Sequence, residues 1–279
     1  MMLPYELPML AALDANPLPN DFELHSAVLH FDQRDGGMQC AVAVEALLAN
    51  FQFTEDKKTR TYSAHFSLMA LVKDGQGQIV KKLSPDYPLQ GPLDKLDSLK
   101  KGIVTYTETF QLKPGHYTVE TVALDHDANK AAAKRTSLLV PPFKEGIGLS
   151  SVAVIRQAVT LKPDEVDASN PLQYEDLRIL PNLAVPIPRT PGTELSLYLM
   201  IYPEAGASEK PRLAVQFRKD GKIVAQGMPD LPPPDAQGRI AYVGRLPAET
   251  FPPGSYEIRA VVRQGASTAE EFAFVSVNP

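Results

Sequence analysis

Residues 253–263 read Pro-Gly-Ser-Tyr-Glu-Ile-Arg-Ala-Val-Val-Arg, a turn followed by a regular alternation of side chains. Every second residue from the tyrosine onward is apolar: Tyr256, Ile258, Ala260 and Val262. A period of two places alternate side chains on opposite faces of a strand. The segment therefore predicts a β-strand with one buried face, and the proline and glycine before it mark the turn that leads into the strand.

The same pattern occurs earlier, where Pro114-Gly115-His116-Tyr117 leads into an alternating strand, Tyr117–Leu124. In each copy the proline fixes φ, and the glycine is expected to supply a positive φ that lets the tyrosine ring enter the core. The hydroxyl can then bond to upstream backbone, as in the tyrosine corner of sandwich domains. Structural roles are therefore predicted for two triplets: Pro114, Gly115 and Tyr117, and Pro253, Gly254 and Tyr256.

Other landmarks recur in the same order in both halves of the chain. Lys73-Asp74-Gly75 matches Lys219-Asp220-Gly221, and the segment Gly102–Leu112 matches Arg239–Leu246. About seven short strands per ~125 residues, separated by turns, are typical of an immunoglobulin-like sandwich. The sequence predicts an all-β protein made of two tandem antiparallel β-sandwiches of the immunoglobulin/fibronectin III-like type.

The expected divisions follow the prolines. A lead-in covers 1–19, with one or two helical turns over Glu6–Asp14. The first sandwich covers 20–143 and the second covers 147–279, with a short linker between them.

Several segments of these sandwiches carry their own expectations. Asp35-Gly36-Gly37 marks a turn, and Met38–Leu48 is predicted as a half-buried strand with Glu45 on its outer face. Pro85–Lys101 is expected to be irregular, with one helical turn near its end. Thr160–Leu180 is also expected to be irregular.

Composition and charge exclude several classes of function. The chain has 28 basic and 33 acidic residues and a net charge of −5, which gives no electrostatic basis for binding a nucleic acid. No apolar run approaches the ~20 residues that span a bilayer. Residues 1–20 contain no signal-peptide pattern, so a location outside the cytoplasm is expected only if the chain is part of a longer exported protein.

Few residues have the types and spacing that chemistry needs. Asp125-His126-Asp127 is the one local cluster of ligand-type side chains, and in a hairpin turn all three can point to solvent. A solvated turn is therefore the favoured interpretation, with Asp125 and Asp127 as weak metal candidates whose replacement by alanine should leave the melting temperature unchanged. The other histidines are scattered on strands or beside turns with no visible pairing: His25, His30, His65 and His116.

The single cysteine, Cys40, excludes an internal disulfide, and its place on an apolar stripe predicts a small core residue. No catalytic residue and no cofactor is predicted, and the fold is expected to form without a metal because two sandwiches of this size bury enough apolar surface.

The corners and the junction carry a family resemblance. Residues 18–24 read Leu-Pro-Asn-Asp-Phe-Glu-Leu, residues 112–119 read Leu-Lys-Pro-Gly-His-Tyr-Thr-Val, and the junction reads Val140-Pro-Pro and then Gly148-Leu-Ser-Ser-Val. With 179–183 and 251–256, they make the chain resemble the C-terminal β-sandwich region of bacterial von Willebrand factor type A-related proteins. The A domain itself is absent, and the resemblance implies an exported protein without established catalytic residues.

The sequence therefore predicts a non-enzymatic spacer or protein-interaction module of the cell envelope, whose protein partner it does not name. A carbohydrate- or polymer-binding module is the first alternative, and it would need exposed aromatic rings along one sheet face. A hydrolase with an unrecognised site is the second, and it would show a cleft with convergent carboxylates of perturbed pKa.

Overall fold

The computed structural model describes residues 3–34 and 37–278, so Asp35 and Gly36 of the predicted turn lie outside the described residues. The chain folds into two compact units. The first contains the chain up to Val28 and Val42–Pro142, and the second contains Leu29–Ala41 and the chain from Phe143 onward. The sequence-based division placed 29–41 in the first sandwich, whereas the structure groups these residues with the second unit. No described helix is long and apolar enough to cross a membrane.

Up to Val140, the described residues form two α-helices and nine strands. They are α1 (Glu6–Asp14), β1 (Leu24–Arg34), β2 (Gly37–Leu47), β3 (Thr54–Asp56), β4 (Thr61–Lys73), β5 (Ile79–Leu83), β6 (Asp86–Pro92), α2 (Leu96–Lys100), β7 (Ile103–Leu112), β8 (Gly115–Asp125) and β9 (Lys130–Val140). The expected helical turn after Pro92 is present as a 3₁₀ turn and α2. The expectation of an otherwise irregular 85–101 is wrong, because β6 occupies its first part and pairs along β4.

Strands β1, β2 and β7 form one sheet in the order β1-β2-β7, and the first unit has a larger sheet built on β4. One edge of β4 pairs with β3 and then β8, and the other edge pairs with β6 and then β5. Side chains from one face of β4 are buried in the core, where Phe66 stacks on Phe51 with ring centroids 4.1 Å apart. Strand β2 is buried on both faces from Cys40 to Ala46, so the prediction of a half-buried strand with Glu45 facing outward is wrong.

Helix α1 covers the outer face of the β4–β8 sheet. Its Met9 and Leu13 are fully buried against Met69, Leu71 and the facing residues of β8. Glu6 is also buried, and both of its carboxylate oxygens accept hydrogen bonds of 2.8 Å from the Lys82 ammonium group. The segment expected to be a lead-in is therefore part of the first unit, with an apolar face that closes the sheet.

The second unit contains eleven strands from Gly148 onward. They are β10 (Gly148–Leu149), β11 (Ala153–Thr160), β12 (Gln173–Tyr174), β13 (Leu177–Pro181), β14 (Ile187–Pro188), β15 (Glu194–Tyr202), β16 (Arg212–Lys219), β17 (Lys222–Gly227), β18 (Ile240–Pro247), β19 (Gly254–Gln264) and β20 (Ser267–Asn278). In one sheet, β15 pairs with β10 and β11 along one edge and with β18 along the other, and β11 continues to β13 and then β12. The second sheet has the order β14-β20-β19-β16-β17. All these pairs are antiparallel except the short β14–β20 pair.

Strand β15 is buried on both faces because two layers cover it. Its odd-numbered residues, such as Leu197 and Leu199, face the core between the two sheets. Its even-numbered residues, Tyr198, Met200 and Tyr202, pack with Leu29, Phe31, Ala41, Leu172 and Ile179. The segment 160–180, expected to be irregular, therefore supplies core residues as well as β12 and most of β13.

The two units share the order of their last strands, which confirms the predicted tandem sandwiches. Gly115 at the start of β8 pairs with Val140 at the end of β9, and Gly254 at the start of β19 pairs with Val277 near the end of β20. The two intervals are 140 − 115 = 25 and 277 − 254 = 23 residues. The difference of two lies in the hairpin turn, which has four residues, 126–129, in the first unit and two, 265–266, in the second.

Both predicted tyrosine corners have the expected hydrogen bond. The Tyr256 hydroxyl donates to the Pro252 carbonyl, and the Tyr117 hydroxyl donates to the Lys113 carbonyl at 2.8 Å, four residues upstream in each case. Tyr256 is 1% exposed, whereas Tyr117 is only half-buried. Gly254 has a φ of +142°, but Gly115 does not have a positive φ, so that part of the prediction is wrong for the first corner.

The two corners should differ in their contribution to stability. We expect Tyr256→Ala to lower the free energy of unfolding of the second unit by about 3–5 kcal/mol, because it leaves a cavity at a fully buried ring. Tyr256→Phe removes only the corner hydrogen bond and should cost about 1 kcal/mol. Tyr117→Ala should cost the first unit about 1–2 kcal/mol. Urea unfolding measures all three, and equal effects of the two alanine variants would contradict the difference in burial.

The Glu6–Lys82 pair predicts a pH dependence. Burial raises the pKa of Glu6, but the Lys82 ammonium group and the Leu3 N–H lower it more, so the net direction is downward from 4.5. The carboxylate therefore stabilises the fold above about pH 4.5, and this contribution is lost as the pH falls through the lower pKa of the folded state. Near neutral pH, Glu6→Gln should cost about 1–3 kcal/mol, since it breaks a charged pair on a buried carboxylate.

In urea unfolding the difference between wild type and Glu6→Gln should disappear in acid. Glu23→Gln is the matched control, because that side chain is 67% exposed and pairs with His25. The control should change stability by less than about 0.5 kcal/mol. A Glu6→Gln effect that is the same at neutral and acid pH would contradict the role of the ion pair.

Candidate functional site

The structure brings together two histidines that the sequence places 61 residues apart, 126 − 65 = 61. Phe66 of β4 is paired with Asp125, the last residue of β8, so the next residues in each direction, His65 and His126, are neighbours across the ladder. The His126 N–H donates to the His65 carbonyl at 2.9 Å. The two imidazole rings stack with centroids 4.2 Å apart and planes inclined by 24°.

A carboxylate and a hydroxyl complete the group. Ser67 lies two residues after His65 on the same face of β4, and Asp86 is its partner at the start of β6. The Ser67 hydroxyl donates to Asp86 Oδ1 at 2.5 Å, and His65 Nε2 lies 2.8 Å from the same oxygen. Ser67 Oγ also lies 2.7 Å from His126 Nε2. We call these four residues the imidazole–carboxylate cluster.

The cluster lies at the surface, but its hydroxyl is buried. The side chains of His65 and Asp86 are 38% and 26% exposed, whereas Ser67 is fully buried. The sequence shows no pairing for His65, but in the structure its ring stacks on that of His126. Solvent can reach the imidazole and carboxylate groups, while β4, β6 and the end of β8 fix their positions.

The aspartates on either side of His126 hold the turn in place. Asp125 is 1% exposed and accepts hydrogen bonds from the backbone N–H groups of Gln52, Asp127 and Ala128, at 2.6, 3.0 and 3.0 Å. Asp127 accepts one from the His65 N–H at 3.1 Å. The expectation that all three residues of the turn point to solvent is wrong, because Asp125 points inward and ties the turn to the backbone. Of the three, His126 is the residue that joins the cluster.

The surroundings of His126 favour the neutral form of its imidazole. Burial lowers its pKa from 6.5, and the neighbouring His65 lowers it further, against the opposing effect of Asp86, Asp125 and Asp127. A neutral imidazole can bind a metal ion or accept a proton. The Ser67 hydroxyl is directed toward Asp86, however, so His126 is not placed to remove its proton. The cluster is therefore better suited to holding a ligand than to activating a nucleophile.

The second unit has a serine–histidine–glutamate arrangement. His30 Nδ1 lies 2.9 Å from Ser151 Oγ, and His30 Nε2 lies 2.9 Å from Glu271 Oε1. The backbone of His30 also bonds to Ser151. The His30 N–H donates to Ser151 Oγ at 3.0 Å, and the Ser151 N–H donates to the His30 carbonyl at 2.8 Å. These bonds join two segments of the second unit, 29–41 and the chain from Phe143 onward, and they occupy the hydroxyl, which is a structural role.

An exposed aromatic pair lies on the outer face of the β20 sheet. Phe272 and Phe274 are 59% and 68% exposed, and their rings meet edge to face with centroids 5.8 Å apart. In the ladder, Phe272 is opposite Arg259 and Phe274 is opposite Glu257 on β19. The rings and these two charged residues form a surface that we call the phenylalanine face.

The remaining candidates have ordinary environments. Cys40 is fully buried, and burial raises the pKa of its thiol to about 12, which makes it unreactive. His25 Nε2 lies 3.1 Å from Glu23 Oε1, and His116 is exposed.

Sequence reasoning missed Ser67 and Asp86 altogether. The His65-x-Ser67 spacing on one strand face was the only available signal for either residue, since nothing in the sequence pairs β4 with β6.

No protein-family model and no curated protein matches the chain. Among solved structures, the chain is similar to the fibronectin(III)-like modules of CbhA from Clostridium thermocellum, with 13% identity, 86% of this chain and 85% of that chain covered, and a TM-score of 0.22. It is also similar to the chain described as BspA_C_WT, with 7% identity, 90% and 99% coverage, and a TM-score of 0.23. The strand order itself defines the class, which is a tandem pair of β-sandwiches.

The role of Asp125 can be tested directly. Asp125→Ala leaves three backbone N–H groups without their acceptor and should lower the free energy of unfolding of the first unit by about 2–4 kcal/mol. Asp127→Ala, at an exposed residue that accepts one bond, should cost less than about 1 kcal/mol. Denaturant unfolding measures both. Effects under 1 kcal/mol for both variants would restore the interpretation of a solvated turn.

Proposed function

We propose that the chain is a non-enzymatic protein-interaction module that associates through the phenylalanine face. The observation that carries the proposal is the exposed pair of rings on a sheet whose opposite face contributes to the core of the second unit. Exposed apolar side chains that form a contiguous patch mark interaction surfaces more often than single ones do. The cell-envelope location rests on the resemblance to von Willebrand factor type A-related proteins and stays a prediction.

The charge pattern favours a second copy of the chain as the partner. Arg259 and Glu257 lie beside the rings on the neighbouring strand β19, two residues apart along that strand. A two-fold axis that lies in the interface, perpendicular to the strands, reverses the strand direction in the partner. It therefore places each arginine against the glutamate of the other copy. An apolar centre with a charged rim is also the usual anatomy of a non-obligate interface.

A carbohydrate or polymer ligand fits this face less well. A flat sugar ring stacks best on aromatic rings that lie in one plane, but the planes of Phe272 and Phe274 are inclined by 70°. The glycan alternative is therefore the less favoured one, and the experiment below includes a result that would support it. The hydrolase alternative lacks support at Ser151, because its hydroxyl oxygen accepts a hydrogen bond from the His30 backbone N–H.

Sedimentation velocity over a concentration series tests the proposal. Wild type should show a reversible monomer–dimer equilibrium, and Phe272→Ser with Phe274→Ser should remain monomeric at the same concentrations. The control is Leu47→Ser with Leu139→Ser, which removes two exposed leucines of the first unit and should leave the dimer unchanged.

Two results would contradict the proposal. One is a wild type that stays monomeric throughout, and the other is a dimer that persists in the double phenylalanine variant. If the monomeric wild type binds to an insoluble polysaccharide and loses that binding in the phenylalanine variant, the glycan alternative replaces the proposal.

A further inference from the structure

We propose that His65, Asp86 and His126 of the imidazole–carboxylate cluster bind a divalent transition-metal ion, and that Zn²⁺ fits the site best. The inference concerns the first unit and does not depend on the phenylalanine face. One ligand-capable atom from each of the three residues lies within 4.8 Å of the other two. Around a four-coordinate zinc ion, with bonds of about 2.0–2.2 Å, neighbouring ligand atoms lie about 3.4 Å apart. Small side-chain movements are therefore enough to bring all three onto one ion.

The donor set decides the class of metal. Two imidazole nitrogens and one carboxylate oxygen suit zinc and its neighbours in the first transition series. Calcium and magnesium prefer sites made only of oxygen, and Cu(I) prefers sulfur. Three protein ligands leave one tetrahedral position for water, and the buried Ser67 hydroxyl beside Asp86 and His126 is placed to accept a hydrogen bond from that water.

The ligands are held before an ion arrives. His65 and Asp86 lie on paired strands, and His126 follows directly on β8, where its N–H is bonded to the His65 carbonyl. Asp125 and Asp127 fix the turn through backbone N–H groups, so both act as outer positioning residues. Outer partners that orient metal ligands commonly change affinity by 10–100-fold.

When the ion binds, hydrogen bonds within the cluster are replaced by bonds to the metal. In the absence of an ion, His65 Nε2 is bonded to Asp86 and His126 Nε2 to Ser67. Binding needs the lone pair of each Nε2, so each neutral ring moves its proton to Nδ1 or, if protonated, releases one proton. Asp86 exchanges the bond from His65 for a bond to the metal and keeps the one from Ser67. No oxidant or other reactant is needed.

Two measurements on the full chain, freed of any histidine tag and treated with a chelator, test the site. The first is competition for Zn²⁺ against a chromophoric chelator, and the second is the visible absorption of Co²⁺ as a probe of tetrahedral nitrogen and oxygen ligands. Wild type should bind one ion per chain, and Co²⁺ should give the absorption of a tetrahedral site. His65→Ala, His126→Ala and Asp86→Asn should each weaken Zn²⁺ binding at least about tenfold.

His25→Ala is the matched control, because it removes a surface histidine of the same unit that has one carboxylate neighbour. It should leave the affinity and the Co²⁺ spectrum unchanged. Because an ion that binds only the folded state raises its stability, Zn²⁺ should also raise the melting temperature of wild type but not of the His65→Ala/His126→Ala variant. Melting of each variant without metal shows that it is folded.

Three results would overturn the proposal. They are a wild type that binds no Zn²⁺, a folded double histidine variant that binds with unchanged affinity, and a His25→Ala variant that loses binding to the same extent. The Phe272→Ser/Phe274→Ser variant should bind Zn²⁺ like wild type, so failure of one proposal does not decide the other.

Discussion

The ladder between β4 and β8 is the constraint on which the first unit depends. Its register sets Phe66 opposite Asp125, which turns Phe66 into the core and leaves His65 and His126 as neighbours on the other face. A slip of one residue would exchange the two faces, burying imidazoles in the core and exposing a stacked aromatic ring. The burial of Met69 and Leu71 under α1 fixes the same register from the outer side.

The two units show how one strand order acquires different surfaces. The last hairpin of each has the same eleven-residue ladder, but the turn is longer in the first unit, and His126 is part of that longer turn. In the second unit the corresponding hairpin carries the exposed phenylalanines on β20 instead. Connections and outer faces are free to vary because the core between the sheets does not use them.

Much of the fold could be predicted from local patterns. The alternation after Tyr256 and the repeated Pro-Gly-x-Tyr element identify β-strands, their turns and the tandem arrangement. The same reasoning was wrong about the outer face of β2, and it did not predict that the segment 160–180 and the lead-in supply core residues. Leu172 and Ile179 of the segment 160–180 pack with Tyr198 of β15, and the lead-in forms a layer itself through α1 over β4 and β8. Local periodicity reports one face of a strand and says nothing about what covers the other.

The sequence by itself determined the class of the fold, the two corner tyrosines and the absence of a continuous catalytic motif, because these depend on neighbours a few residues apart. Only the tertiary structure decided the imidazole–carboxylate cluster, since Asp86 meets His65 through the β4–β6 ladder and His126 meets it through β4–β8. The inward direction of Asp125 was also decided only by the tertiary structure. One of the N–H groups that donate to its carboxylate belongs to Gln52, which lies 125 − 52 = 73 residues away in the chain. Strand register joins such residues, and it is set by the packing of the whole unit.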